Sequence, residues 1–252
     1  MSAPLELRNP HSVLAALLAR PKDVQRVSLS KSPGDAWERV ADLAKKSGCK
    51  VDVVQGRPGG GGGGHDKDRD RSGSVALVRP RESALLSDVV ASDDDQGLWL
   101  ALDSVQDPHN VGAIFRTAAF FGVRGIILMQ DRAAALTAAV YDTACGGLES
   151  VPFAIEVNLA RALQEAKDAG LWVLGTSEHA SESLFKVARD RKWLAVLGNE
   201  ERGMRRLIQE SCDVLCTIPN HSAHENGGPA VTSLNVSVVG GIVISHLTAA
   251  NH

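Results

Sequence analysis

Three stretches of this 252-residue chain set polar side chains into apolar surroundings at spacings that permit chemistry. Ser233, Asn235 and Ser237 alternate with Leu234, Val236 and Val238, just ahead of Gly240-Gly241. That places amide and hydroxyl groups at the mouth of an otherwise apolar helix, where backbone N–H groups lacking helical partners can hold a polar ligand. A second stretch runs from Asp107-Pro108-His109-Asn110 to Arg116-Thr117-Ala118, with Arg116 two turns after Asn110. A third, Gly198-Asn199-Glu200-Glu201-Arg202-Gly203-Met204, offers carboxylates at the end of an apolar strand. Each residue also has a plain structural reading. Asn110 can cap the helix that follows Pro108, and Ser233 can cap the last helix. Glu200 and Glu201 suit a helix N-terminus, and Glu201 is the plainer case. Gly198 is either a strand-ending turn or a place where a ligand approaches bare main chain. Arg116, on an Ala- and Phe-rich helix, reads as a surface charge when taken alone.

The elements that must position these groups follow from periodicity. Helices are predicted at His11–Ala19 and at Ala36–Lys46, the second ending before Gly48. Strands are predicted at Val24–Leu29, Lys50–Val54 and Ser74–Val78. Together they make a small α/β domain over residues 7–80. Between the last two strands, a flexible glycine-rich loop is expected at 56–73, built on Gly59–Gly64 and the charged run from His65 to Arg71. The glycine run is no dinucleotide fingerprint, because no helix follows it. Asp66, Asp68 and Asp70 imitate a calcium loop, but Arg71 stands where glycine is required and Leu77 where the closing Glu belongs. A polar linker is expected at 81–96. From 97 to 252, strand and helix alternate: strands at Leu98–Val105, Gly125–Gln130, Phe153–Val157, Leu171–Ser177, Trp193–Leu197 and Val214–Ile218, with helices at Asn110–Phe121, Thr137–Cys145, Leu159–Ala169, Met204–Gln209 and Ser233–Thr248. Near-continuous apolar strands such as Ile126-Ile127-Leu128-Met129 belong to a parallel sheet covered on both faces. An open α/β sheet of this kind holds its ligand at the C-terminal strand ends.

Charge is uneven along the chain. Residues 1–90 hold 15 Lys and Arg against 11 Asp and Glu, a net of +4, while residues 91–252 hold 12 against 19, a net of −7. Phosphate binding therefore falls first on the front domain and on local Arg clusters. No apolar run approaches a membrane span, and Met1-Ser2-Ala3-Pro4 has no signal-peptide pattern, so a cytoplasmic protein is expected. Cys49, Cys145, Cys212 and Cys216 complete no zinc set and read as reduced thiols. His221, His224 and Glu225 sit in a Ser/Asn/Gly/Pro-rich stretch that reads as a loop, so no metal site is expected.

In this order the three stretches resemble the signature motifs of the SpoU/TrmH family of RNA ribose 2′-O-methyltransferases, over roughly Leu98 to the C-terminus. The front domain resembles the substrate-binding domain attached to many family members. Its usual His-Gln-Gly-type turn is replaced here by the glycine run. The resemblance implies a deep trefoil knot of the SPOUT type in the C-terminal parallel sheet, an exception to the no-knot rule. It implies S-adenosylmethionine as cofactor, held by backbone groups at Thr176, Gly198, Ile218 and Leu234. It implies Arg116, Asn110, Glu200, Ser233 and Asn235 as catalytic residues, and a homodimer formed through the C-terminal domain, where Ser237, Gly240, Gly241 and Ser245 permit close approach.

Methyl transfer to a ribose 2′-OH is an in-line displacement in which alignment accounts for much of the rate. A guanidinium stays protonated far above neutral pH, so Arg116 is expected to grip the adjacent phosphate and stabilise the developing alkoxide rather than abstract a proton. A carboxylate at Glu200 can orient Arg116 or Asn110. Large-subunit ribosomal RNA is the expected substrate. Transfer RNA is the alternative, and a non-catalytic RNA-binding relative is the reading from a different class. A nucleotide-dependent oxidoreductase is excluded by the missing glycine fingerprint. Asn220–Val231 is longer than the usual family link and is expected to border the cofactor site as a lid or an RNA contact.

Overall fold

A computed structural model describes residues 3–54, 73–131, 133–199, 201–220 and 233–249. Most of the glycine-rich loop, Glu200, and the stretch 221–232 with His221, His224 and Glu225 lie outside the described residues. The chain forms two compact units, Met1–Arg81 with Leu136–Ser150, and Glu82–Ala135 with Val151–His252.

The first unit is a four-stranded sheet with helices. In chain order it comprises β1 (Leu5–Leu7), α1 (Pro10–Ala19), β2 (Val24–Leu29), α2 (Asp35–Lys46), β3 (Lys50–Val53) and β4 (Val75–Val78). The strand order is β1-β4-β2-β3, with only the β2–β3 pair parallel. Asn9 starts α1 by accepting from the His11 N–H, and Pro10 occupies the first turn, where its missing N–H costs nothing. Sequence periodicity misses β1, a strand of three residues.

The boundary expected at 81–96 differs from the structure in two ways. Residues 86–90 are not polar linker but α3 (Leu86–Val90), whose Leu86, Val89 and Val90 are buried in the core of the second unit. The Trp99 indole N–H donates to the Val89 carbonyl at 2.7 Å. Charged flanks (Arg81, Glu82, Asp93-Asp94-Asp95) conceal this short apolar run. The second difference is that α5 (Ala138–Ala144) and α6 (Gly147–Ser150) pack within the first unit, although they lie in the sequence between elements of the second. The Asp142 carboxylate accepts from the Arg8 and Asn9 backbone N–H groups at 3.0 Å. Ser12 donates to the Tyr141 carbonyl at 2.7 Å, and the Tyr141 hydroxyl accepts from Arg81 N–H at 2.7 Å. Arg20 pairs in a fork with Glu149, Nε–Oε2 2.8 Å and Nη2–Oε1 2.7 Å. Burial disfavours the Arg20 charge, but the hydrogen bonds and negative charge of Glu149 outweigh it and raise its pKa.

The second unit continues with β5 (Gly97–Leu102), α4 (Pro108–Phe121), β6 (Gly125–Met129), β7 (Phe153–Glu156), α7 (Leu159–Asp168), β8 (Trp172–Thr176), β9 (Glu182–Ser183), β10 (Lys192–Leu197), α8 (Arg206–Glu210), β11 (Val214–Thr217) and α9 (Val236–Thr248). All seven strands are parallel, in the order β7-β6-β5-β10-β8-β11-β9. This is the open α/β sheet that the apolar strands call for. Strands β5, β6 and β10 are buried almost end to end because helices cover both faces. α4 ends at Gly122, whose φ of 72° supplies the left-handed turn that stops the helix. Among the described residues no helix is long and apolar enough to cross a membrane, and all four cysteines are free.

Candidate active site

The site is built at the C-terminal edge of three neighbouring strands. Thr176 is the last residue of β8, Gly198 follows β10 directly, and Ile218 follows β11 directly. All three line a cavity of about 810 Å³, together with Ser233 and Leu234 ahead of α9. The four expected cofactor positions therefore share one cavity, and Ser233 joins them. Gly198 and Ile218 lie past the last ladder partners of their strands, and Thr176 closes the β8–β11 ladder, so main-chain donors and acceptors there are left for a ligand. Ile218, Leu234, Val236, Val239 and Met204 supply apolar wall. The volume suits a nucleoside-sized ligand. The Thr176 hydroxyl turns inward and donates to Val196 O at 3.2 Å.

Gly198 has a packing reason to be glycine beside its place in the cavity wall. A Cβ there would collide with the Gly203 and Met204 backbone, so glycine is needed because the 199–204 loop folds back onto it. Asn199 closes that loop. Its backbone pairs with Gly203 in both directions, at 3.0 and 2.9 Å, and its Oδ1 accepts from the Glu201 and Arg202 N–H groups. Cys216, buried on the cavity wall, is an inert thiol whose pKa burial pushes up to about 12.

Two caps also differ from expectation. α4 is capped by Asp107, which accepts from the His109 N–H at 2.9 Å, and Asn110 lies inside the first turn. α9 is capped by Asn235, not Ser233, and Asn235 Oδ1 accepts from the Ser237 N–H at 2.8 Å. This leaves Asn110 and Ser233 for other work. The Asn235 amide donates to the Asn110 Oδ1 at 3.0 Å, which ties the start of α4 to the start of α9 beside the cavity wall. Asn110 is buried.

Arg116 lies elsewhere. Six residues after Asn110 on a helix of 100° per residue, it points to a different face, and it is not part of the cavity lining. It is exposed and makes no ion pair or hydrogen bond among the described residues. On the same exposed face, Phe120 is 83% exposed, and Val238 on the neighbouring α9 is 48% exposed. Of the small residues on α9, Gly240 packs inside the unit against Leu197 and Ile114, while a Cβ on Gly241 would meet open space.

Sequence reasoning missed Glu178, His179 and Arg202, polar residues that line the cavity with Glu201. It also missed Asp103. This carboxylate follows β5 with no exposed surface and grips Arg205, accepting from its N–H at 2.9 Å and its Nε at 2.7 Å. The available signal was a lone acid closing the apolar run Leu98–Leu102.

The sequence model of the SpoU rRNA Methylase family matches residues 97–245. A protein of Nitrosomonas europaea named 23S rRNA (guanosine-2'-O-)-methyltransferase RlmB is 42% identical over 67% of this chain and 62% of its own length. The RlmB of Bordetella pertussis is 34% identical over 93% of this chain and 92% of its own. Among solved structures, the SpoU methyltransferase AviRb from Streptomyces viridochromogenes, in complex with the cofactor AdoMet, matches with a TM-score of 0.75. The match covers 98% of this chain and 89% of that one at 18% identity, a likeness of fold.

Proposed function

The chain belongs to the SpoU rRNA methylase family, and from that premise we propose that it methylates a guanosine ribose in large-subunit ribosomal RNA. It is an S-adenosylmethionine-dependent enzyme that transfers methyl to a ribose 2′-OH of ribosomal RNA. The observation that carries the reading is the convergence on one cavity of Thr176, Gly198, Ile218, Ser233 and Leu234, with Asn110 and Asn235 bonded beside its wall.

The residues present fit the cofactor. Backbone groups at Thr176, Gly198, Ile218 and Leu234 would hold it, with its nucleoside against the apolar wall. When bound, S-adenosylmethionine supplies a methyl group activated by a sulfonium. Ser233 and Asn235 orient the ribose. Asn110 fixes the Asn235 amide, so that alignment rather than strong general-base chemistry lowers the barrier. Arg116 grips the adjacent phosphate and stabilises the developing alkoxide as a fixed positive charge. For Glu200, which lies outside the described residues, the proposed role is to orient Arg116 or Asn110 by a charge-assisted hydrogen bond.

The enzyme works as a homodimer through α4 and α9. The exposed Phe120 and Val238 support this reading, and so does the position of Arg116 on the Phe120 face rather than in the cavity of its own subunit. A second copy then brings Arg116 to the site. The C-terminal segment is knotted, consistent with α9 returning to pack on α4, β5 and β10. The first unit adds RNA affinity through exposed Lys22, Arg26, Lys31, Lys45, Lys46 and Lys50. The protein acts in the cytoplasm, where ribosomal RNA is modified. Mapping 2′-O-methyl positions in RNA from cells with and without the protein tests the proposal. One ribosomal guanosine should lose its methyl group when the protein is absent, whereas a change confined to transfer RNA would favour the alternative substrate.

A further inference from the structure

We propose that Asp103, acting through Arg205, is a positioning residue that holds the 199–204 loop in its cofactor-binding form. The inference rests on the cofactor reading given above.

Asp103 is the one carboxylate with no exposed surface among the described residues. A charge taken wholly out of water is costly unless it is paired and hydrogen-bonded, so its placement needs a reason. The structure supplies a full set of partners. The Asp103 backbone N–H donates to Leu197 O at 2.8 Å, which fixes the end of β5 against the end of β10. Its Oδ2 accepts from the Arg205 backbone N–H at 2.9 Å, and its Oδ1 lies 2.7 Å from both Nε and Nη2 of Arg205. Ser104 adds a 3.3 Å bond to the same Oδ1.

These bonds lock the two ends of one loop. Gly198 leaves β10 at the front, and Arg205 anchors the back. Between them Gly198, Asn199, Glu201, Arg202, Gly203 and Met204 all line the cavity, while Asp103 and Arg205 do not. A second tie runs parallel to the first. The Asn199 amide donates to Ser104 O at 2.9 Å, and Ser104 holds a φ of 65°, a left-handed conformation that non-glycine residues seldom adopt. The β5 exit is thus bent to present Asp103 to Arg205 and the Ser104 carbonyl to Asn199. Strain of this kind persists only where surrounding contacts enforce it. The turn after β5 sets the shape of the turn after β10, and with it one wall of the cofactor cavity.

The test uses the full-length protein. S-adenosylmethionine affinity is measured by calorimetry, and KM and kcat by methyl transfer to ribosomal RNA, for Asp103→Asn, Arg205→Lys, Arg205→Met and the double variant Asp103→Asn/Arg205→Met. Asp103→Asn keeps the shape and loses the charge, and Arg205→Lys keeps the charge and loses the fork. Each single variant should weaken S-adenosylmethionine binding on the order of tenfold and raise its KM in step, with kcat at saturation within about threefold. The double variant should bind about as well as Asp103→Asn alone, because both changes break one interaction. If Asp103→Asn does not fold, Arg205→Lys decides. Wild-type affinity in folded Arg205→Lys and Asp103→Asn overturns the proposal, and so do fully additive losses or a fall in kcat at unchanged KM. Failure of the unmodified protein to bind S-adenosylmethionine would instead sink the cofactor reading on which the proposal rests.

Discussion

At the scale of single residues, the surroundings of each polar group decide between a structural and a chemical task. Arg116 stands exposed on α4 and contributes nothing to the fold among the described residues, so Arg116→Ala should abolish methyl transfer while leaving S-adenosylmethionine affinity and melting temperature near the unmodified values. Arg116→Lys should also be poor, because a point charge does not replace a planar fork. Near-normal turnover of the alanine variant in a single-turnover assay would remove Arg116 from the chemistry. Asn235 has two roles. Asn235→Ala loses the α9 cap, worth about 1 kcal/mol, and the hydrogen bond to buried Asn110, worth about 1 kcal/mol more. Denaturant titration should therefore show a loss that Ser233→Ala, which removes no cap, does not share. Burial pushes the Cys212 and Cys216 thiols up to about 12 from an ordinary 9.0. Both should resist alkylation at neutral pH until the protein unfolds. The unfolded chain releases these protons first, so the stability they contribute is intact below about pH 9 and is lost as pH rises toward 12. The chemistry-bearing types were legible in the sequence, but the caps were not. Asp107 and Asn110, and likewise Ser233 and Asn235, are capping residues within one turn of each other, and only the path of the preceding loop decides which side chain meets the free N–H groups.

At the scale of elements, the alternation of apolar strands and amphipathic helices was legible from residue 97 onward, because period and length suffice for strands such as Gly125–Met129. Two features depended on contacts far apart in sequence. α3 is a five-residue helix between charged flanks, and its burial follows from Trp99, not from its own pattern. The packing of α5 and α6 with the first unit follows from pairs such as Arg20 with Glu149, whose numbers differ by 129. These contacts revise how the protein can be cut. A chain starting at Ser92 would lose Leu86, Val89 and Val90, each worth about 1.5–3 kcal/mol of burial, as well as the acceptor of the Trp99 indole. It would also leave Glu149 without Arg20. A chain starting at Glu82 restores α3 and should melt several degrees higher than the Ser92 start, though still below the full chain. Equal melting temperatures for the two truncated chains would mean that α3 is dispensable.

At the scale of the whole molecule, charge is uneven: residues 1–90 carry a net of +4 and residues 91–252 a net of −7. Sedimentation should find a dimer, and replacing Phe120 and Val238 with charged residues should yield monomers that keep S-adenosylmethionine binding yet lose turnover. If such monomers stayed fully active, Arg116 would serve its own subunit. The deciding measurement incubates purified protein with S-adenosylmethionine labelled at the methyl group and unmodified large-subunit ribosomal RNA, then digests the RNA to nucleosides. Label should appear in one 2′-O-methylated nucleoside and be absent with Arg116→Ala. Label on a base, or none in the RNA while the protein binds S-adenosylmethionine, would contradict the proposed function.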